Sequence, residues 1–330
     1  MDDLEFRLLN DFQRGFPLVP APFAEIASRL GASESQVLQA LRALAERGSV
    51  SRVGAVFAPR RVGASTLAAL AAPPMELTRV ANLINRHPEV NHNYEREHRL
   101  NVWFVATASD PERLAGLLHT IESETGCPVV SLPLVEEFHI DLAFDLSGAP
   151  QPRCPALASA AAPAYDPDPQ DKRLIAALQP GLDLVPRPYA RLAMRAGSTE
   201  AQVIRTLGGW LEAGVVKRLG VVVRHRELGY SANAMVVFDV PDEEVGSVGA
   251  RLAGESMVTL CYRRRRHLPD WPYNLFCMIH GRHRLDVERG IGALRDRLGL
   301  HRYPNAVLFS RRCFKQHGAR YFEQAESARG

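Results

Sequence analysis

Between Val90 and Val105 the chain places an unusual density of chemically capable side chains. The run reads Asn91-His92-Asn93-Tyr94-Glu95-Arg96-Glu97-His98, then Asn101-Val102-Trp103-Phe104. Alternate residues of a strand project to one face, which predicts a shared face for His92, Tyr94, Arg96 and His98. Imidazoles exchange protons near neutral pH, and a guanidinium grips an anion in two places at once. A solvated strand face is the plain alternative. A second run weighs against it: Cys261-Tyr262-Arg263-Arg264-Arg265-Arg266-His267, then Pro272-Tyr273-Asn274-Leu275-Phe276. Tyr94 matches Tyr262, Arg96 matches Arg264, and Asn101 matches Asn274 after a five-residue insertion. The two Asn residues fit turn chemistry equally well. His92 and His98 are replaced by Leu260 and Arg266. The His-bearing run is therefore expected to catalyse and the other to bind, with His267 and His280 keeping the reverse assignment open. His139 aligns with Lys315, beside matching Phe138 and Phe314, and both are second-rank candidates. His87, His119, His283, His301 and His317 lack such context and are expected mostly at the surface.

These runs belong to an internal repeat. With a shift of 166 the first part of each half aligns without gaps. Leu18-Val19-Pro20 matches Leu184-Val185-Pro186, Gly15 matches Gly181, Val50-x-Arg52 matches Val216-x-Arg218, and Gly54 matches Gly220. Each copy opens with three short helical patterns. Ser33 with Gln36 has the spacing of a capping box, and Ser198 is the expected cap in the second copy. Residues 49–57 then form a wing, which predicts a winged helix-turn-helix. The second part of each copy alternates in the order β-α-β-β-α-β, a ferredoxin-like unit. Its strands are expected at 65–71, 90–97, 100–106 and 132–144, then at 231–240, 258–264, 273–280 and 306–314. The predicted fold class is α+β, a tandem repeat of winged helix-turn-helix plus ferredoxin-like βαββαβ domain. The domains are 1–63, 64–146, a linker at 147–169 rich in Ala and Pro, 170–229 and 230–330.

Composition narrows the function classes. The chain has 330 residues, 46% hydrophobic and 23% charged, which is ordinary for a globular protein. No run of about 18 apolar residues exists, so no membrane span is expected. The N-terminus lacks an apolar leader, and five cysteines without C-x-x-C spacing suggest neither a disulfide framework nor a zinc site; a cytoplasmic setting is expected. Residues 1–150 carry 13 Arg and no Lys against 19 acidic residues, a net −6, whereas residues 151–330 carry 27 cations against 18 acids, a net +9. The two halves should attract one another. A DNA reader needs cations or amides early on its recognition helix. Ser33-Glu34-Ser35-Gln36 and Ser198-Thr199-Glu200 offer no cation there, so DNA is not the expected partner.

A helix-turn-helix followed by a ferredoxin-like unit resembles the Lrp/AsnC family. The pattern H-N-Y-x-R-x-H-x-x-N-x-W-F is more specific. Together with Arg224-His225-Arg226-Glu227-Leu228-Gly229-Tyr230, Trp271-Pro272-Tyr273-Asn274-Leu275-Phe276 and Phe314-Lys315-Gln316, it resembles the siroheme decarboxylases of haem d1 biosynthesis, of the fused NirDL type. The resemblance spans all but the linker. It implies cofactor-independent loss of two acetate carboxyls, siroheme to 12,18-didecarboxysiroheme plus carbon dioxide, with iron entering only as part of the substrate. It implies a carboxy-lyase in which the two halves pair, with a homodimer as a further option. His98, His92, Tyr94 and Arg96 are then the expected catalytic set. Arg264, Tyr262, Arg263, Arg265, Asn101, Asn274, Trp103, Arg224, His225, Lys315, His139, Arg52 and Arg218 are expected to bind substrate, and no protein metal site is expected. The alternative from another class is a haem- or tetrapyrrole-responsive Lrp/AsnC-type DNA-binding regulator that binds without turnover.

Overall fold

The computed structural model describes residues 1–140, 164–224 and 227–323. The first copy opens with α1 (Asp3–Asp11), α2 (Pro22–Leu30), α3 (Glu34–Glu46) and the wing strand β1 (Val50–Phe57). It continues through β2 (Ala64–Leu70), α4 (Leu77–Arg86), β3 (Val90–Arg96), β4 (Val102–Ala108), α5 (Pro111–Thr125) and β5 (Val130–Ile140). The second copy repeats the order as α6 (Pro169–Leu178), α7 (Pro188–Ala196), α8 (Glu200–Glu212), β6 (Val216–Val223), β7 (Ala232–Phe238), α9 (Val245–Ala253), β8 (Val258–Arg264), β9 (Leu275–Gly281), α10 (Arg284–Leu298) and β10 (Asn305–Gln316).

Local chemistry fixes the ends of these elements. Ser33 and Gln36 form the expected capping box at α3, satisfying two backbone donors that a helix start leaves open. In the second copy the cap is Thr199 rather than Ser198, because the reciprocal partner, Gln202, stands three residues after Thr199. The expected linker stops short of Pro169, which begins α6 under the Asp168 cap. Its residues up to 163, and the expected end of the strand at 141–144, lie outside the described residues.

The four-stranded sheet of each copy has the ferredoxin-like order, β3-β4-β2-β5 in the first and β8-β9-β7-β10 in the second. Alone, each would expose two edges with unpaired backbone groups. Instead β10 pairs with β3 and β5 pairs with β8, both antiparallel, closing one eight-stranded barrel. The helices cover its outside over two apolar cores. Inside lie Leu67, Trp103, Leu132, Met235, Trp271, Phe276, Met278 and Leu308, contributed by both copies. A barrel of eight strands is just wide enough to hold side chains or one small ligand.

The helix-turn-helix parts share a single core, from Leu8, Phe23 and Leu41 to Leu174, Tyr189 and Leu207. Their wings pair with each other, β1 antiparallel to β6, with Gly54 opposite Gly220. Both glycines permit a close crossing: a Cβ on Gly220 would meet the Gln13 carbonyl oxygen at 2.4 Å, and one on Gly54 would meet the Gly181 Cα at 3.1 Å. Each wing thereby carries the chain that follows the first helix of the other copy, held by Val221 N–H to the Phe12 carbonyl (2.8 Å) and Leu182 N–H to the Val53 carbonyl (2.7 Å).

Candidate active site

Between the paired wings and the barrel interior lies a cavity of about 390 Å³, within the range of small-molecule sites. Its wall combines β1 and β6 above with β3, β4, β7, β8 and β9 below, and residues 316–319 and Tyr321 form a strap along one side. Four guanidinium groups line it, from Arg52, Arg96, Arg218 and Arg264, together with three imidazoles, from His92, His280 and His317. Among the described lining residues there is no carboxylate. The rest of the wall is largely apolar, including Leu67, Trp103, Val105, Leu260 and Met278. A cluster of cations gathered at one apolar cavity is costly to desolvate, and it favours an anionic ligand with a broad apolar body.

Backbone carbonyls hold the arginines. Arg96 Nη1 donates to the Leu308 carbonyl (3.1 Å) and Arg264 Nη1 donates to the Leu132 carbonyl (2.7 Å). Each guanidinium also lies over the tyrosine two residues before it, Tyr94 at 5.9 Å and Tyr262 at 4.6 Å. Burial pushes both arginines below the ordinary guanidinium value, partly opposed for Arg96 by Tyr262 and Tyr94 and for Arg264 by Tyr262. Arg52 is likewise lowered by burial and donates to the Ala55 carbonyl (3.2 Å). Arg218 donates to the carbonyls of Gln13 (2.7 Å) and Val221 (3.3 Å).

The imidazoles come from three elements. His92 stacks on Tyr94, with ring centroids 6.2 Å apart. His280 Nδ1 is 2.8 Å from the Thr259 hydroxyl, which donates to the Met278 carbonyl at 3.0 Å. His317 Nδ1 is 2.7 Å from the Gly318 carbonyl oxygen. Asn91 and Thr259 join the lining because β3 and β8 each bulge there, with register shifts between Val90 and His92 and between Val258 and Leu260. A bulge re-aims the side chain beside it, and strict alternation in the sequence gives no sign of it.

The structure therefore brings His92, Tyr94, Arg96, Trp103, Tyr262, Arg264, Arg52 and Arg218 to one cavity. It does not bring His98 there. Strand β3 ends at Arg96, and the turn after it sets the His98 ring edge-on to Trp271, centroids 5.4 Å apart, with Nδ1 accepting from Leu100 N–H at 3.1 Å. Asn101 and Asn274 also lie off the cavity. Each clamps the backbone beyond the first strand of its unit: Asn101 binds both polar groups of Ala72 (2.8 and 2.9 Å), and Asn274 those of Val240 (3.0 and 2.9 Å). Arg263 pairs with Asp242 (2.7 Å) on the outward face, and Arg265 is exposed. Arg224 lies beyond the end of β6, its N–H on the Ser49 carbonyl (2.9 Å), and His139 pairs in register with outward-facing Cys261; neither lines the cavity. Lys315 donates to the carbonyls of Asn85 (2.8 Å) and His87 (2.7 Å) at the end of α4. His225 lies outside the described residues. In the other direction, His280 and His317 face the cavity, although the sequence offers the first only as a reserve and gives the second no comparable context.

Comparison with known proteins converges on one family. A model described as the AsnC-like ligand binding domain matches residues 61–139 and 227–315. A second, the siroheme decarboxylase NirDL-like HTH domain, matches residues 5–50 and 171–216. The siroheme decarboxylase NirDL subunit of Paracoccus denitrificans (strain Pd 1222) is 46% identical over 98% of this chain and 99% of its own. The siroheme decarboxylase of Hydrogenobacter thermophilus is 31% identical over 96% and 95%. A crystal structure of the siroheme decarboxylase NirDL superposes with a TM-score of 0.69 at 28% identity, covering 97% of this chain and 94% of that one. Another, in co-complex with an iron-uroporphyrin III analogue, gives 0.68 at 27% identity with the same coverage.

Proposed function

The chain belongs to the siroheme decarboxylases of the NirDL type, and from that membership we propose that it removes two acetate carboxyls from siroheme, giving 12,18-didecarboxysiroheme and carbon dioxide. One observation of its own carries the reading: four arginines and three histidines surround an apolar cavity whose described lining has no acid. A polycarboxylate macrocycle brings negative charge and an apolar body together.

Arg52, Arg96, Arg218 and Arg264 then grip peripheral carboxylates, since a planar fork matches a carboxylate. The reacting acetate needs an electron sink. A proton delivered to the macrocycle creates one, the C–C bond breaks, and its electron pair flows into the ring as carbon dioxide leaves. The methylene left behind takes a proton and becomes a methyl, and the ring gives its proton back. Each acetate thus consumes one proton and releases one carbon dioxide. His92, stacked on Tyr94, and His280 on the opposite copy are the groups placed to move those protons. His98 packs edge-on against Trp271, off the cavity, and we assign it no proton transfer. Incubating the purified protein with siroheme under anaerobic conditions, with nothing else added, should yield a product lighter by two molecules of carbon dioxide. Unchanged pigment would refute the assignment.

The regulator alternative finds less support. Helix α3 opens on Glu34, and both wings are engaged with each other above the cavity.

A further inference from the structure

We propose that His317, carried on the C-terminal strap, supplies an axial nitrogen ligand to the iron of the bound macrocycle. The inference rests on the reading that the cavity takes siroheme, and it assigns one residue a task that catalysis of proton transfer would not need.

The strap is tied to both copies. His317 N–H donates to the Asn91 carbonyl (2.8 Å) at the start of β3. The Thr107 hydroxyl donates to the Arg320 carbonyl (2.8 Å). The Gln179 side chain accepts from the N–H groups of Tyr321 (2.5 Å) and Phe322 (3.1 Å) and donates to the Phe322 carbonyl (2.9 Å). Residues 316–319 are thereby fixed along the cavity. Gly318 lies against Arg52, where a Cβ would come within 2.8 Å of the guanidinium carbon. One wall thus presents an imidazole beside a carboxylate-binding fork.

The ring's hydrogen bond settles what it can do. A carbonyl oxygen only accepts, so Nδ1, 2.7 Å from the Gly318 oxygen, carries the proton. In the neutral imidazole Nε2 then holds a lone pair, and it has no partner among the described residues. Histidine ligands to metals commonly show this arrangement, with the far N–H on a backbone carbonyl fixing tautomer and orientation. Imidazole suits iron. Burial, aided by Lys315, Arg320 and Arg52, holds the ring below the ordinary imidazole value against the opposing Gly318 carbonyl.

The test uses the full chain loaded anaerobically with ferrous siroheme and treated with nitric oxide. Wild type should show electron-paramagnetic splitting from a nitrogen trans to the nitrosyl, and His317→Ala should lose it. Added imidazole should restore it in the Ala variant. His317→Gln, which keeps a donor for the Gly318 carbonyl, should also lack it, and melting curves report whether each variant folds. Affinity for siroheme should fall on the order of tenfold, while affinity for the iron-free macrocycle stays unchanged. A wild-type spectrum without the splitting, a variant that keeps it, or an equal loss of affinity for both pigments would overturn the proposal. Turnover is read separately. Splitting without product formation would remove the decarboxylase reading and leave the ligand standing.

Discussion

Arg264 donates to the carbonyl oxygen of Leu132 at 2.7 Å, and that bond crosses from the second copy of the repeat into the first. Its counterpart runs the other way, from Arg96 to Leu308. These two cavity guanidiniums are therefore each aimed by the last strand of the opposite copy. Arg264→Lys keeps the charge but loses the planar fork, the carbonyl bond and the face contact with Tyr262. A hydrogen bond to a charged group contributes about 1.5–3 kcal/mol. Substrate affinity should fall at least tenfold, with a lower melting temperature as the seam between β5 and β8 loosens. Pigment titration and a thermal melt on the same sample check both. Unchanged affinity would mean that Arg264 serves the seam alone.

A different signature is expected for the proton carriers. His92→Ala and His280→Ala should each lower kcat by about 10²–10⁴, the usual worth of a placed acid or base, with little change in siroheme binding. His98→Ala should do the reverse. It removes an edge contact to Trp271 and the acceptor for Leu100 N–H, so it should lower the melting temperature and leave kcat within a few-fold of wild type. Single-turnover rates with absorbance titrations separate these outcomes. A His98→Ala protein that melts normally yet fails to turn over would reverse the assignment.

How far the sequence could lead is visible in these same histidines. Repetition revealed both copies, the run of element types gave the ferredoxin-like order, and alternation along a strand put Tyr94 with Arg96, and by the match Tyr262 with Arg264, on one face. His98 does not share the face of His92, Tyr94 and Arg96, because alternation says nothing about where the strand stops, two residues earlier at Arg96. His280 stands on β9, which becomes a neighbour of the same cavity only when two sheets close into a barrel. That closure depends on pairing between residues more than a hundred apart. His317 follows the last strand, where no periodic pattern remains, and only the contacts of Asn91, Thr107 and Gln179 show that the strap turns back over the cavity. Asn101 and Asn274 were legible as a pair, and their shared task is to clamp the backbone.

Acidification should destabilise the protein through two of its imidazoles. Burial holds both His98 and His317 below the ordinary value of 6.5, with Arg99 adding to the shift at His98. The unfolded chain then binds protons that the folded chain refuses. Stability from these groups is present above the unfolded value and is lost as pH falls through it. Melting temperature should decline between about pH 7 and about pH 5, less steeply in a His98→Gln, His317→Gln double variant. Parallel slopes in variant and wild type would place the acid sensitivity elsewhere.

The paired wings give the sharpest packing prediction. Gly220 lies where the chain after α1 crosses β6, and a methyl there would meet the Gln13 carbonyl oxygen at 2.4 Å and the Phe12 carbonyl oxygen at 2.5 Å. Both neighbours are backbone, and Phe12 already accepts from Val221 N–H, so neither can turn aside as a side chain would. Forced overpacking costs about 1–3 kcal/mol. Gly220→Ala should therefore lower the unfolding midpoint in denaturant by a matching amount. It should also weaken substrate binding, because Arg218, two residues away, takes its position from the same Gln13 carbonyl. Gly116→Ala is the control, since a methyl on that glycine of α5 meets nothing within 4 Å. Equal midpoints for the two variants would show that the wing can part from the helix without loss, and the roof of the cavity would then not be the rigid element that aims Arg218.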